Sequence, residues 1–177
     1  MTVIQTLTRA APNSTSQPVT DPDALTEVEV LARTLYGEAR GEELPGIEAV
    51  ASVILNRVAF AKRRGRYWWG NDLKSVCLKP AQFSCWNAND PNREKLLALS
   101  PRDPAYRLCK RIAKRAVAGD LPDQTDGATH YHTHAVDPFW ARGHVPCAEI
   151  GGHLRAGSRQ CSFSSRLNDN PDHRLGI

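Results

Sequence analysis

From Leu25 onward, apolar residues recur at three- and four-residue intervals: Leu25, Val28, Ala32, Leu35 and Tyr36. That spacing is the stripe of an amphipathic helix. Thr26 with Glu29 makes a capping box at its start, and Leu25 and Val30 stand where a hydrophobic staple belongs. Gly37 and Gly41 weaken the far end, so the helix is expected to stop near Arg40. A second stripe, Ile47, Val50, Ala51, Ile54, Leu55 and Val58, follows Pro45, a residue suited to a first helical turn. A third helix opens with Asp103 as N-cap and Pro104 at its first position, and Gly119 ends it. Ala105, Leu108, Cys109, Ile112 and Ala116 form its apolar face. Arg107, Lys110, Arg111, Lys114 and Arg115 form the opposite one, which reads as a solvated surface. The stretch from Lys62 to Leu99 has no such period and reads as a long irregular region, of the kind that carries function. Ala128 to Ala135 alternates like a strand. The pattern predicts an α+β chain, mainly α, with a small strand element and long loops.

The two ends differ from this middle. Ala10 to Asp23 holds three prolines among small polar residues and cannot bury enough apolar surface to offset its ordering entropy. Residues 1–23 are therefore expected to be a flexible arm, residues 24–161 one folded domain, and residues 162–177 a loose tail. The 177-residue length suits a single domain. A composition 41% hydrophobic and 24% charged excludes collagen-like, wholly disordered and coiled-coil chains. Continuous apolar runs last only a few residues against the ~20 needed to cross a bilayer, so no stable membrane insertion is expected. The first 25 residues contain one Arg and no continuous apolar core, which predicts synthesis in the cytoplasm without a standard secretory signal. The net charge of +4 is spread along the chain, and the aromatics are not interleaved with it, which argues against a nucleic-acid partner. Five cysteines without a C-x-x-C pair exclude a tetrathiolate zinc site and leave the disulfide state open.

Glu38 is the carboxylate with most chemical interest. It ends an amphipathic helix just after Leu35 and Tyr36, where apolar shielding and the negative end of the helix dipole both favour its protonated form, against the pull of Arg40. A carboxyl of raised pKa is what a general acid requires; a surface acid paired with Arg40 is the alternative. Glu42 shares a face with Glu38 only if the helix runs through Gly41. Paired carboxylates serve glycosidases at about 5–5.5 Å for retention or about 6.5–9.5 Å for inversion. His130, His132 and His134 alternate, and on a strand they share one face, which is either a metal cluster or a row of hydrogen-bonding groups. Aromatics gather in the loops: Tyr67, Trp68 and Trp69, then Phe83 and Trp86, then Phe139 and Trp140. Such rings stack on sugars or cover the core of a small domain. Trp68 and Trp69, set among Arg and Gly, favour an exposed role. No G-x-S-x-G elbow or phosphate-binding glycine loop is present.

The segment L-A-R-T-L-Y-G-E-A-R-G-E (Leu31 to Glu42), followed by G-I-E-A-V-A-S-V-I-L-N-R-V (Gly46 to Val58), resembles the SleB-type cell wall hydrolases, known also from spore-cortex-lytic enzymes. K-P-A-Q-F-S-C-W (Lys79 to Trp86), A-T-H-Y-H (Ala128 to His132), P-F-W-A (Pro138 to Ala141) and I-G-G-H (Ile150 to His153) follow in the family's order. The resemblance covers roughly Leu25 to Leu154. It implies a lysozyme-like catalytic domain, similar to goose-type lysozymes and lytic transglycosylases, acting on peptidoglycan between N-acetylmuramic acid and N-acetylglucosamine. The family's catalytic acid falls on Glu38, acting without a cofactor or metal. Glu42, Gln82, Phe83, Ser84, Trp86, Tyr131, His132 and Trp140 become the expected substrate-binding residues. The resemblance further implies a monomer that meets its substrate in the cell wall, and a short chain with no recognised leader is similar to a phage endolysin. Many members carry a tyrosine-rich stretch at His130-Tyr131-His132, which makes Tyr131 the firmest of these assignments, and Arg63 to Asn71 is an insertion in the pattern. Two other readings stay open: a zinc-dependent muramoyl–L-alanine amidase ligated by the three histidines, and a non-catalytic wall-binding module using the aromatic loops.

Overall fold

The structure is a computed structural model that describes residues 21–136, 138–142, 145–150 and 154–157. Most of the arm and the whole tail lie outside the described residues. The last residues of the arm, by contrast, enter a 3-10 turn, Pro22–Ala24, whose Asp23 carbonyl accepts a hydrogen bond from Lys74 at 2.7 Å.

Among the described residues five helices follow: α1 (Glu27–Ala39), α2 (Leu44–Arg63), α3 (Leu73–Cys77), α4 (Arg93–Leu97) and α5 (Pro104–Ala118). Helices α1 and α5 begin and end as their sequence dictates. Thr26 and Glu29 close both arms of the capping box on α1. Asp103 accepts the amide N–H of Tyr106 at 3.0 Å to cap α5, and Gly119 ends it in the left-handed conformation at φ 81°. The two short helices lie inside the stretch expected to be irregular. Five residues are too few to show a helical period, but Asp72 and Ser75 form a reciprocal cap at the start of α3. Among the described residues three antiparallel strands, β1 (His130–Thr133), β2 (Ala148–Ile150) and β3 (Leu154–Gly157), pair in the order β1-β3-β2, with His130 opposite Gly157 and Ala148 opposite Ala156.

Helix α1 is the axis of the domain. It packs against α2, α3, α4 and α5, and Val30 to Tyr36 are buried without interruption. A helix enclosed on all sides must satisfy its own polar groups. Thr34 donates to the Val30 carbonyl at 2.9 Å and accepts from the Trp86 indole N–H at 2.9 Å. Arg33 donates to the Leu96 carbonyl and lies over the Tyr106 ring. Helix α2 is long and apolar enough to cross a membrane by length and composition, although its apolar runs are short. Here it is the second core helix, with 72% of its most apolar 18-residue stretch buried. Its buried Glu48 pairs with Arg115 at 2.5 Å and accepts from Gln124 at 2.8 Å, so Arg115 is not purely a solvated residue of α5.

Where α1 meets the loop after α3, the backbone of Gly37 approaches Cys85. A methyl group on Gly37 would lie 2.6 Å from the Cys85 Cβ and 2.7 Å from its Sγ, whereas one on Gly41 would meet nothing within 4 Å. Gly37→Ala is therefore expected to lower stability by about 1–3 kcal/mol through overpacking. Gly41→Ala is expected to stay within about 0.5 kcal/mol of the parent. Thermal denaturation of the two variants checks this, and equal melting temperatures would refute the close-approach account.

Candidate active site

The last turn of α1 carries Glu38 into a half-buried position between the loop after α3 and strand β1. Tyr131, in the middle of β1, donates its hydroxyl to Glu38 Oε2 at 3.1 Å. The thiol and backbone N–H of Cys85 stand close enough to the same carboxylate to favour its ionised form. Burial, the largest effect, raises the Glu38 pKa above its ordinary value. The Cys85 and Tyr131 hydrogen bonds pull it back, and the nearby Asp90 charge adds to the rise. The two donors keep their protons. Burial and the adjacent Glu38 push both the Cys85 thiol and the Tyr131 phenol above their usual ranges.

Behind this pair lies Arg57, a site residue that the sequence analysis did not single out. It is 4% exposed and donates from Nε to the Thr129 carbonyl at 2.7 Å. Its guanidinium lies over the rings of Phe83 and Trp69, at 5.5 and 5.8 Å from their centroids. Its Nη1 is buried with no hydrogen-bond partner. Burial lowers its pKa to about 10, opposed by the charges of Tyr131, Cys77 and Glu38, so it remains a cation at neutral pH. The neighbouring Asn56 amide reaches Asp123, Thr125 and the Ala128 carbonyl at 3.0–3.1 Å. Together these two residues of α2 pin the chain entering β1 and thereby set the position of Tyr131. A signal was present: Arg57 falls between Ile54 and Val58, beside an apolar stripe, where a charged residue needs a structural reason.

The other expected residues divide into groups. Ser84 is half-buried and lines a pocket beside Gly37 and Cys85. Gln82, Phe83 and Trp86 are buried, which places them in the interior rather than on a groove. Gln82 donates to the Val76 carbonyl at 2.6 Å, Phe83 packs beneath Arg57, and Trp86 is bonded to Thr34. This loop is held down by its own aromatics, so their loop position does not imply exposure. The Trp68-Trp69 pair is split in the same way: Trp68 is 46% exposed, but Trp69 is 3% exposed and donates to the Arg57 carbonyl at 3.0 Å. Helix α1 stops at Ala39, so Glu42 does not share a helical face with Glu38; its side chain folds over Gly46 at the start of α2. Trp140 belongs to the 3-10 turn Phe139–Ala141, and its side chain is outside the described residues, as are residues 151–153 of the I-G-G-H motif.

The three histidines do not converge. Strand β1 ends at Thr133, leaving His134 in the turn, where it pairs with Glu149 at 2.7 Å. The His132 Nδ1 is engaged with the Thr133 and Val136 carbonyls at 2.9 Å, and the His130 Nδ1 with the Thr129 hydroxyl at 3.0 Å. Among the described residues, no three His, Cys, Asp or Glu side chains come together to hold a metal ion. Cys77, Cys85 and Cys109 are free thiols, and Cys147 is disulfide-bonded.

Comparison with known proteins gives the chain its relatives. The spore cortex-lytic enzyme of Bacillus cereus is 29% identical over 131 residues, 72% of this chain but 43% of that protein. The spore cortex-lytic enzyme of Halalkalibacterium halodurans is 28% identical over 133 residues, 72% of this chain and 34% of that protein. The chain thus spans less than half the length of these relatives. The catalytic domain of Bacillus cereus SleB superposes with a TM-score of 0.55 at 27% identity, covering 73% of this chain and 88% of that one. The catalytic domain of the germination-specific lytic transglycosylase SleB from Bacillus anthracis gives 0.54 at 26% identity, covering 82% and 99%. The fold is accordingly the mainly helical, lysozyme-like one of the SleB catalytic domains. The cell wall hydrolase family model matches residues 41–155, starting three residues after Glu38. With more than half of its length matched by that model, and with the fold of the SleB catalytic domains, the chain belongs to the cell wall hydrolase family.

Proposed function

We propose that this protein cleaves the glycan strand of peptidoglycan between N-acetylmuramic acid and N-acetylglucosamine as a lytic transglycosylase, with Glu38 as the one acid and base. The observation that carries the reading is a half-buried carboxyl of raised pKa that accepts the Tyr131 hydroxyl at 3.1 Å, with Cys85 beside it. In the first step the protonated Glu38 donates its proton to the glycosidic oxygen. The bond from that oxygen to C1 of the muramoyl residue breaks, and positive charge develops on the sugar ring. In the second step the resulting carboxylate takes the proton of the muramoyl 6-hydroxyl while O6 bonds to C1. A 1,6-anhydro ring forms, and Glu38 ends protonated as it began. The second step needs the ionised form, which the Tyr131 and Cys85 donors and the buried Arg57 cation favour. The first needs the protonated form, which burial favours. A site that tunes both directions around one carboxyl suits a mechanism in which one group does both tasks. The end of α1 at Ala39 supports the same choice, because it removes Glu42 from the helical face of Glu38.

In this reading, Ser84, Tyr131, His132 and Trp140 border the bound strand, while Gln82, Phe83 and Trp86 shape that border from beneath. The protein works on the cell wall as a monomer, and residues 24–161 form its catalytic domain.

Digestion of purified peptidoglycan with mass spectrometry of the soluble products tests the reaction. The parent protein is expected to release fragments ending in 1,6-anhydro-muramic acid, and Glu38→Gln to lose about 10²–10⁴-fold in rate, the usual contribution of a general acid–base group. Reducing muramic acid ends would change the reaction to hydrolysis with Glu38 retained. Free stem peptides would point to an amidase, and binding without release would point to a wall-binding module.

The pH profile gives a second check. The acid form of free Glu38 is needed first, so kcat/KM should hold until the pH passes its raised pKa and fall above it. The Tyr131 hydrogen bond stabilises the carboxylate and lowers that pKa, so Tyr131→Phe should move the alkaline limb to higher pH while slowing the reaction. An alkaline limb that stays fixed or moves down in Tyr131→Phe would contradict the role given to this contact.

A further inference from the structure

Next to Glu38 an open pocket is built from groups that take no part in the proton transfer. Gly37 and Cys85 form the wall it shares with the acid, and Arg40, Ser84, Asn92 and Lys95 supply its polar lining. Arg40 is held at the end of α1 over the Tyr36 ring, 5.3 Å from the centroid, and makes long bonds of 3.4 and 3.5 Å to the carbonyls of Tyr36 and Gly37. These are neutral partners. Among the described residues neither Arg40 nor Lys95 lies within ion-pair distance of a carboxylate, although Asp103 acts on Lys95 from further off, so two cations border one cavity without a direct ion-pair partner. Asp90 stands at the same rim, part-buried, and its side chain accepts the Asn92 amide N–H at 2.7 Å, which fixes the loop between them.

The glycan strand offers this pocket hydroxyls and amides but no charge to pair with its two cations, because the lactyl carboxyl of muramic acid is amide-linked wherever a stem is attached. The formal charges of stem-bearing peptidoglycan reside on the peptides that leave the muramic acid, the sugar whose C1 reacts at Glu38. We infer, on the basis of the function proposed above, that this pocket receives the carboxylate-bearing peptide stem, with Arg40 and Lys95 taking carboxylates. Asp90 answers a free amino group of the same peptide. Charge complementarity at an exposed rim selects a partner more than it strengthens binding, so these residues set preference for stem-bearing wall.

The test is a binding measurement on the Glu38→Gln protein, in which turnover is blocked. Calorimetry compares soluble glycan fragments bearing free stem carboxylates with the same fragments after those carboxylates are converted to primary amides. The native stems are expected to bind about fivefold more tightly, as two exposed charge pairs allow, and the difference should shrink at high salt. Adding Lys95→Gln, a change on an exposed side chain, should remove part of the difference, and adding Arg40→Gln the rest, with affinity for the amidated fragments unchanged. Equal affinity for the two fragments, a preference that survives both substitutions, or no binding of either fragment would overturn the inference. Cleavage of wall by the parent protein is scored separately. Stem-dependent binding without Glu38-dependent cleavage overturns the proposed reaction and leaves the pocket, whereas cleavage without stem dependence does the reverse.

Discussion

The arrangement of this site rests on one buried guanidinium. Arg57 is cut off from water, and a charge in that position persists only when its surroundings answer it. Here the answer comes from the Thr129 carbonyl, two aromatic faces and the fields of Tyr131 and Glu38. Each of these belongs to a different part of the chain. Satisfying one cation thus draws together α2, the loop after α3, and strand β1, and holds them around the end of α1. Phe83 and Trp69, interior rings by burial, confine that charge.

The same economy of parts appears on α1. Full enclosure gives the helix its rigidity and carries its last turn into a half-buried setting, where Glu38 is harder to ionise than in water. A carboxyl left less ionised in the fold than in the open chain works against stability as the pH rises from its unfolded to its folded pKa. The core around Val30, Leu31 and Leu35 offsets that cost. Gly37 completes the arrangement by letting Cys85 approach closely enough to reach the carboxylate.

What was legible in the sequence follows the range of the forces involved. The caps of α1 and α5 are local: Thr26 with Glu29, Asp103 with Tyr106, and Gly119 beyond, and all can be read within a few residues. Glu38 stood out because its unusual setting is written in its immediate neighbours. The resemblance sets Phe83 and Trp86 along the substrate, and the Arg- and Gly-rich setting of Trp69 favours exposure, yet all three rings are buried because their loops fold inward around them. Helices α3 and α4 are too short to display a period. The pairing of β1 with β3, and the reach of Arg57 across 72 residues to Thr129, are products of tertiary closure that no local pattern announces.

The contact between Tyr131 and Glu38 joins positions 93 residues apart. Loop closure on that scale carries an entropic cost that only a nearly finished core can offset. The contact therefore exists only once the native topology has brought β1 to the end of α1, with Asn56 and Arg57 holding the chain that enters the strand. Until then Glu38 is an ordinary solvated acid at the end of a helix. A chain emerging from the ribosome, or one that has locally opened at β1, lacks an assembled site, so competence to act arrives with native topology and leaves with it.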